Sequence, residues 1–337
     1  MSQPFPDLVQ IFDGLSAPSA NVGLGRFCAQ PIPCYSGCAV GKDTSGNPVL
    51  LIHADNALPG TAAPLVFEHL CVIHLVNCRV QAGDQGEQQR TLSIIRCTDT
   101  DRAVHEYFLR CLHPIIASLP QRPSRDQVSQ AVERLVDLFR RMADTPRKMV
   151  TGLWAELFLI ARSVDPESLL DAWHSTPEEK FDFAIGVDRV DVKAASGGLR
   201  VHHFALEQLR PVARVRVLIA SVLAERTHGG ASLNDLVDSI RARVTHPDLL
   251  IRLDSVVART LGQDWRALQE TRFDLQQGIE SLRFVDATAI PAVTSPPPPE
   301  VSAVHFRVDL TQHPMPFPEA LVQASGLFRA AVPHSDP

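Results

Sequence analysis

Residues 181–193 read FDFAIGVDRVDVK and are followed by AASGG. Two short apolar runs meet at a turn over Gly186–Arg189, the sequence pattern of a β-hairpin. In the first run Asp182 stands between Phe181 and Phe183, so on a strand it points away from both rings. In the second run Asp191 and Lys193 are two residues apart. Strand pleating therefore puts them on one face, about 7 Å apart, with Val190 and Val192 on the other. Two carboxylates and one ammonium can thus converge on one side of a single hairpin.

Outward from the hairpin, residues 149–163 (MVTGLWAELFLIARS) predict a helix that is apolar nearly all round, as in a helix packed within a core. Glu156 is the exception. Its neighbours on the helix face are Gly152, Leu153, Leu159 and Ile160, and a carboxylate there needs a partner or a metal. After the hairpin, 199–203 predicts a third strand, 204–209 a short helix closed by Pro211, and 213–224 a buried strand. The order helix, strand, strand, strand, helix, strand over 149–224 predicts a compact α/β unit.

Phosphodiester hydrolysis calls for a hard divalent ion that holds the phosphate, polarises water and neutralises developing charge. Oxygen ligands from a few carboxylates suit Mg2+ or Mn2+. Asp182 and Asp191 are the expected ligands, with Glu156 as the third carboxylate. Lys193 would orient the attacking water or stabilise charge on the phosphorane. Lysine is rare here: Lys42, Lys148, Lys180 and Lys193 are the full set, against many arginines. Its choice inside an apolar strand suggests that arginine would not serve. The bland alternative is an exposed hairpin in which Asp191 and Lys193 are solvated and Asp182 caps a turn.

A helix glutamate, then D, then (D/E)-x-K on the next strand resembles the PD-(D/E)XK nuclease superfamily, the restriction-endonuclease-like fold. More closely, GLWAEL, FDF, DVK and VHHFALEQL are similar to a family of bacterial PD-(D/E)XK members of unknown function, and that likeness covers most of the chain. Phe181 stands where the superfamily name has proline, and Asp191 where glutamate is more frequent. The resemblance implies Glu156, Asp182, Asp191 and Lys193 as the site, and Gln208 as a polar helix residue supporting it. It further implies a metal-dependent DNA endonuclease in a bacterial restriction or phage-defence system, with DNA and other defence-system proteins as partners. The alternatives are a non-catalytic nuclease-fold scaffold or DNA-binding subunit of such a complex, or a zinc-stabilised adaptor built on the N-terminal thiols.

The expected fold class is α/β (α+β): a restriction-endonuclease-like core over 121–230, its mixed sheet flanked by helices, between a β-rich region over 1–120 and a helix-and-strand extension over 231–337. In the first region 5–15 predicts a short helix, and 48–53, 65–80 and 91–97 predict strands. Helices are expected over 102–118 and 125–143. In the last region 231–262 carries two helical patterns, the first started by SLND. Strands are expected at 272–276, 282–286 and 303–310, and a final helix within 314–331.

The chain has 337 residues, 45% of them hydrophobic, and a net charge of -6, which excludes a protein that coats nucleic acid through overall charge. Any such contact must be local. Between 189 and 216 the basic residues Arg189, Lys193, Arg200, Arg210, Arg214 and Arg216 outnumber Asp191 and Glu207. Arg140, Arg141, Arg147 and Lys148 read better as a solvated helix end. His69, His74, His202 and His203 read as ordinary sheet histidines, with phosphate contact the alternative for the last two. Seven cysteines, Cys28, Cys34 and Cys38 among them, read as free thiols, because C-x5-C-x3-C is poor zinc spacing. With no signal-like start and no stretch near 20 apolar residues, a cytoplasmic protein is expected.

Overall fold

The computed structural model describes residues 5–18, 25–33, 35–53, 64–81, 87–121, 123–141, 150–174, 180–211, 214–294, 298, 300–301 and 303–334. Cys34, Arg147, Lys148 and much of the TSPPPPE loop lie outside these. The chain forms two compact units, Met1–Ala143 and Asp144–Pro337.

The first unit opens with α1 (Leu8–Asp13), capped by the Asp7 carboxylate. Strands β1 (Arg26–Ile32), β2 (Tyr35–Lys42), β3 (Pro48–His53), β4 (Leu65–Val66), β5 (Leu70–Gln81) and β6 (Glu87–Cys97) follow. Their order is β1-β2-β3-β6-β5-β4, and β1 also pairs in parallel with β5. That pairing closes five strands into a small barrel and removes two free edges. Phe27, Ala29, Val49, Leu51, Cys78, Val80, Leu92 and Ile94 form one of its buried clusters. Two helices complete the unit, α2 (Arg102–Ala117) and α3 (Arg125–Arg141), and Arg140 and Arg141 sit in the last turn of α3 as expected of a helix end.

Among the described residues Cys28, Cys38, Cys71, Cys78 and Cys97 are free thiols. Burial pushes the Cys38 thiol up to about 12 and the Cys78 thiol up to about 11, so neither is a ready thiolate.

The second unit begins with α4 (Val150–Arg162), whose residues Leu153–Ala161 are all buried. After α5 (Pro166–Ala172) come β7 (Phe183–Ile185), β8 (Asp188–Ala195), β9 (Val201–Ala205), α6 (Leu206–Leu209) and β10 (Arg216–Leu223). The hairpin β7–β8 turns at Gly186, whose φ of 55° suits glycine. Downstream lie β11 (Arg226–Ser232), α7 (Leu233–Arg241), α8 (Pro247–Leu261), α9 (Ala267–Glu270), β12 (Arg272–Phe273), α10 (Leu275–Ser281), β13 (Arg283–Asp286), β14 (His305–Asp309), α11 (Glu319–Gln323) and α12 (Gly326–Ala331).

The main sheet of this unit is mixed, in the order β13-β10-β8-β7. Strands β8 and β10 are parallel over eight pairs from Asp188↔Arg216 to Ala195↔Leu223, and β13 is antiparallel to β10. One face of the sheet contributes Val217, Ile219 and Val285 to a core shared with Phe204, Val308 and Leu310 of the β9–β14 ribbon. Helix α4 packs against β8 and α10 against β10. Gly278 permits close helix packing, since a Cβ there would come within 3.0 Å of the Trp154 ring.

Three expectations are corrected. The strand predicted over 272–276 is two residues long and gives way to α10, because Asp274 caps a helix through Gln277 N–H. The third strand of the predicted unit, β9, does not join the hairpin sheet and pairs with β14. The final helix is two, α11 and α12, with Ser325 capping the second.

Candidate active site

The hairpin's carboxylates are not solvated. Asp191 is 3% and Asp182 8% exposed, and Glu156, one helix away, is 3% exposed. Each is placed by a different element: Glu156 by the apolar helix α4, Asp182 by the residue before β7, and Asp191 with Lys193 by β8.

Glu156 meets two side chains from the segment that follows α5. Trp173 Nε1 donates to its Oε2 at 2.8 Å, and His174 Nε2 lies 3.1 Å from the same oxygen. The segment is held in place. Trp173 bridges Phe183, the His174 N–H donates to the Asp182 carbonyl at 2.8 Å, and Arg252 of α8 donates to the Trp173 carbonyl. Glu156, His174 and Asp182 consequently form a buried group whose ligand atoms lie within 4.8 Å of one another. Two carboxylates and an imidazole at that spacing fit a divalent cation.

Asp191 lies outside that group and belongs to an adjoining one. Lys193 Nζ is 2.8 Å from Asp191 Oδ2. Gln208, in the first turn of α6, knits the pair together. Its Nε2 donates to Asp191 Oδ1 at 3.0 Å and to the Lys180 carbonyl at 2.9 Å. Its Oε1 accepts from Lys193 Nζ at 3.3 Å and from the Ala205 N–H at 3.0 Å. The orientation is fixed, because a flipped amide would aim its NH2 at an ammonium and an N–H. Lys193 Nζ also lies 5.3 Å from the centroid of the Phe204 ring.

The two groups share backbone: Asp182 Oδ2 accepts the N–H of Val192 at 2.7 Å, between Asp191 and Lys193. The five residues expected from sequence, Glu156, Asp182, Asp191, Lys193 and Gln208, are therefore brought together in one contiguous cluster. His174 was missed. It follows a short helix, with no periodic pattern to mark it.

Beside Lys193 lies a second polar set, with Ser221 and His202 buried and Arg200 half-buried. Arg200 Nη1 donates to Ser221 Oγ at 2.7 Å, so the Ser221 hydroxyl hydrogen is directed to His202 Nε2 at 2.8 Å. His202 is 2% exposed. Burial, with the charges of Lys193 and Arg200, pulls its pKa down to about 4, and the ring is neutral at physiological pH. The reading of His202 as an ordinary buried histidine agrees with this.

The geometry is thus a buried helix glutamate, an aspartate before a short strand and D-x-K on the next strand. A family model described as "Putative PD-(D/E)XK family member, (DUF4420)" matches residues 9–311. The chain belongs to this family. The DUF4420 match spans both compact units, so the barrel belongs to the family's common architecture as well as the unit with the site. No curated protein and no solved structure matches the chain. Among the described residues no helix is long and apolar enough to cross a membrane.

Proposed function

We propose that this protein is a metal-dependent DNA endonuclease with a restriction-endonuclease-like core, acting in a bacterial restriction or phage-defence system. The observation that carries the reading is the Gln208 amide, which locks Asp191 and Lys193 together directly beside the buried Glu156–His174–Asp182 group. A structural ion pair would not need a fully satisfied amide and a third carboxylate at its side.

Glu156, His174 and Asp182 would hold the ion, with Asp191 as a further ligand towards the substrate. Mg2+ or Mn2+ there supplies charge neutralisation at the phosphate and activation of water. Lys193 places its ammonium where the attacking water or a non-bridging phosphate oxygen is held. Gln208 keeps that ammonium aimed and holds one oxygen of Asp191. Trp173 fixes the Glu156 carboxylate by donating to the oxygen that also faces His174. The imidazole makes the donor set softer than three carboxylates would be, which favours Mn2+ over Mg2+. The N-terminal barrel and the C-terminal elements contribute substrate or partner contacts.

The test is cleavage of methylated, unmethylated, single-stranded and double-stranded DNA with Mg2+ or Mn2+, comparing wild type with Lys193→Ala. Cleavage by wild type alone is expected. Wild type inert on every substrate, together with defence retained in cells carrying Asp182→Ala and Lys193→Ala, would select the non-catalytic scaffold.

A further inference from the structure

Strand register lines up three residues across the sheet. Ser221 of β10 pairs with Lys193 of β8 on one side and with Arg283 of β13 on the other. Paired residues share a face, so Lys193, Ser221 and Arg283 form a row on the face that carries Asp191. At about 4.8 Å per strand, the outer two backbones are roughly 10 Å apart. Arg200 reaches into the same row: Nη1 bonds Ser221 Oγ, and Nη2 donates to the carbonyl of Ser281, two residues before Arg283.

Neither guanidinium has a carboxylate partner among the described residues. Arg200 donates only to hydroxyl and carbonyl oxygens of Ser221 and Ser281. Arg283 is exposed, and its Nη1 donates to the Glu280 and Leu282 carbonyls at 2.8 Å each. Nearby carboxylates are committed elsewhere, Glu225 to the amides of Gly197 and Gly198 and Glu280 to Gln276. Burial and the charge of Arg283 both push Arg200 below the usual guanidinium range. Two guanidinium groups held close without an anion between them cost free energy, and an arriving anion recovers it.

We propose that Arg200 and Arg283 form a second phosphate seat, which takes a backbone phosphodiester of the nucleic-acid strand next to the one presented to Lys193. Arg283 has N–H groups that meet no protein partner among the described residues and can fork onto two phosphate oxygens. Arg200, tied at both ends, supplies fixed positive charge. The proposal rests on the nuclease reading only for the identity of the anion as a nucleic-acid phosphate.

The experiment measures binding of a labelled duplex and a labelled single strand to the full chain in EDTA, over a range of salt, for wild type, Arg283→Ala, Arg283→Lys and Arg200→Gln. Arg283→Ala is expected to weaken binding several-fold and to lower the slope of log K against log salt by about one. Arg283→Lys should keep most of the slope. Arg200→Gln disturbs buried bonds, so the exposed Arg283 is the deciding position. Wild type that binds no DNA, or an Arg283→Ala protein with unchanged affinity and salt slope, overturns the seat. Without a divalent ion the readout is independent of cleavage. A protein that binds through Arg283 yet never cuts keeps the seat and refutes the nuclease; one that cuts with Arg283→Ala indistinguishable refutes the seat alone.

Discussion

The Asp182 carboxylate accepts the backbone N–H of Val192 at 2.7 Å, so the residue that separates Asp191 from Lys193 is pinned by the carboxylate that precedes the hairpin. One side chain thus serves the proposed metal group through its charge and the strand geometry through its lone pair.

These two roles come apart under substitution. Asp182→Asn keeps an acceptor for Val192 but removes the charge, and is expected to unfold at nearly the wild-type temperature while losing DNA cleavage. Asp182→Ala loses both, and a destabilisation of about 1–2 kcal/mol follows from the unpaired, half-buried N–H of Val192. Thermal unfolding beside a cleavage assay separates the cases. Equal stability of the two variants would show that the bond to Val192 contributes nothing.

His174 is the residue that distinguishes the Glu156 group from a set of three carboxylates. Saturating Mn2+ should raise the unfolding temperature of wild type and of Lys193→Ala, because a ligand that binds only the folded state stabilises it by mass action. In His174→Ala and Glu156→Gln the rise should shrink or vanish. An undiminished rise in His174→Ala would remove the imidazole from the ion's donors.

Burial of neutral His202 gives stability a pH dependence of known sign. The folded pKa near 4 lies below the unfolded value of 6.5, so the unfolded chain binds the extra proton first. The contribution of this ring is intact above pH 6.5 and is lost as pH falls towards 4, by roughly 3 kcal/mol in all. Denaturant unfolding of His202→Gln, which keeps an acceptor for Ser221 but does not titrate, should show a shallower decline between pH 6.5 and 4. A decline as steep as wild type's would assign the loss to other groups.

Much of the site was legible because it rests on local rules. Alternation placed Asp191 and Lys193 on one face, and helical spacing showed Glu156 with no polar stripe to join. Gln208 was visible only through family resemblance, since its four hydrogen bonds join β8, the Ala205 N–H and the Lys180 carbonyl, which no periodicity connects. His174 is contributed by a segment whose position depends on Arg252 of α8 and on a bridge to Phe183. The barrel's strands could be read from β-rich runs, but its closure is a parallel pairing of β1 with β5, set by packing rather than by any turn signal. At Asp274 a local signal existed and was outweighed: the cap that starts α10 was a better guide than the apolar residues beside it.

The ribbon of β9 with β14 and the addition of β13 to β10 join parts of the chain far apart in sequence. During synthesis Glu156, His174, Asp182, Asp191, Lys193 and Gln208 all leave the ribosome before the strands that cover Phe204 and flank β10. A nascent chain therefore carries every proposed catalytic group without the walls that hold them in place. The walls of the candidate site are therefore complete only once the segment through Asp309 has been made and has docked.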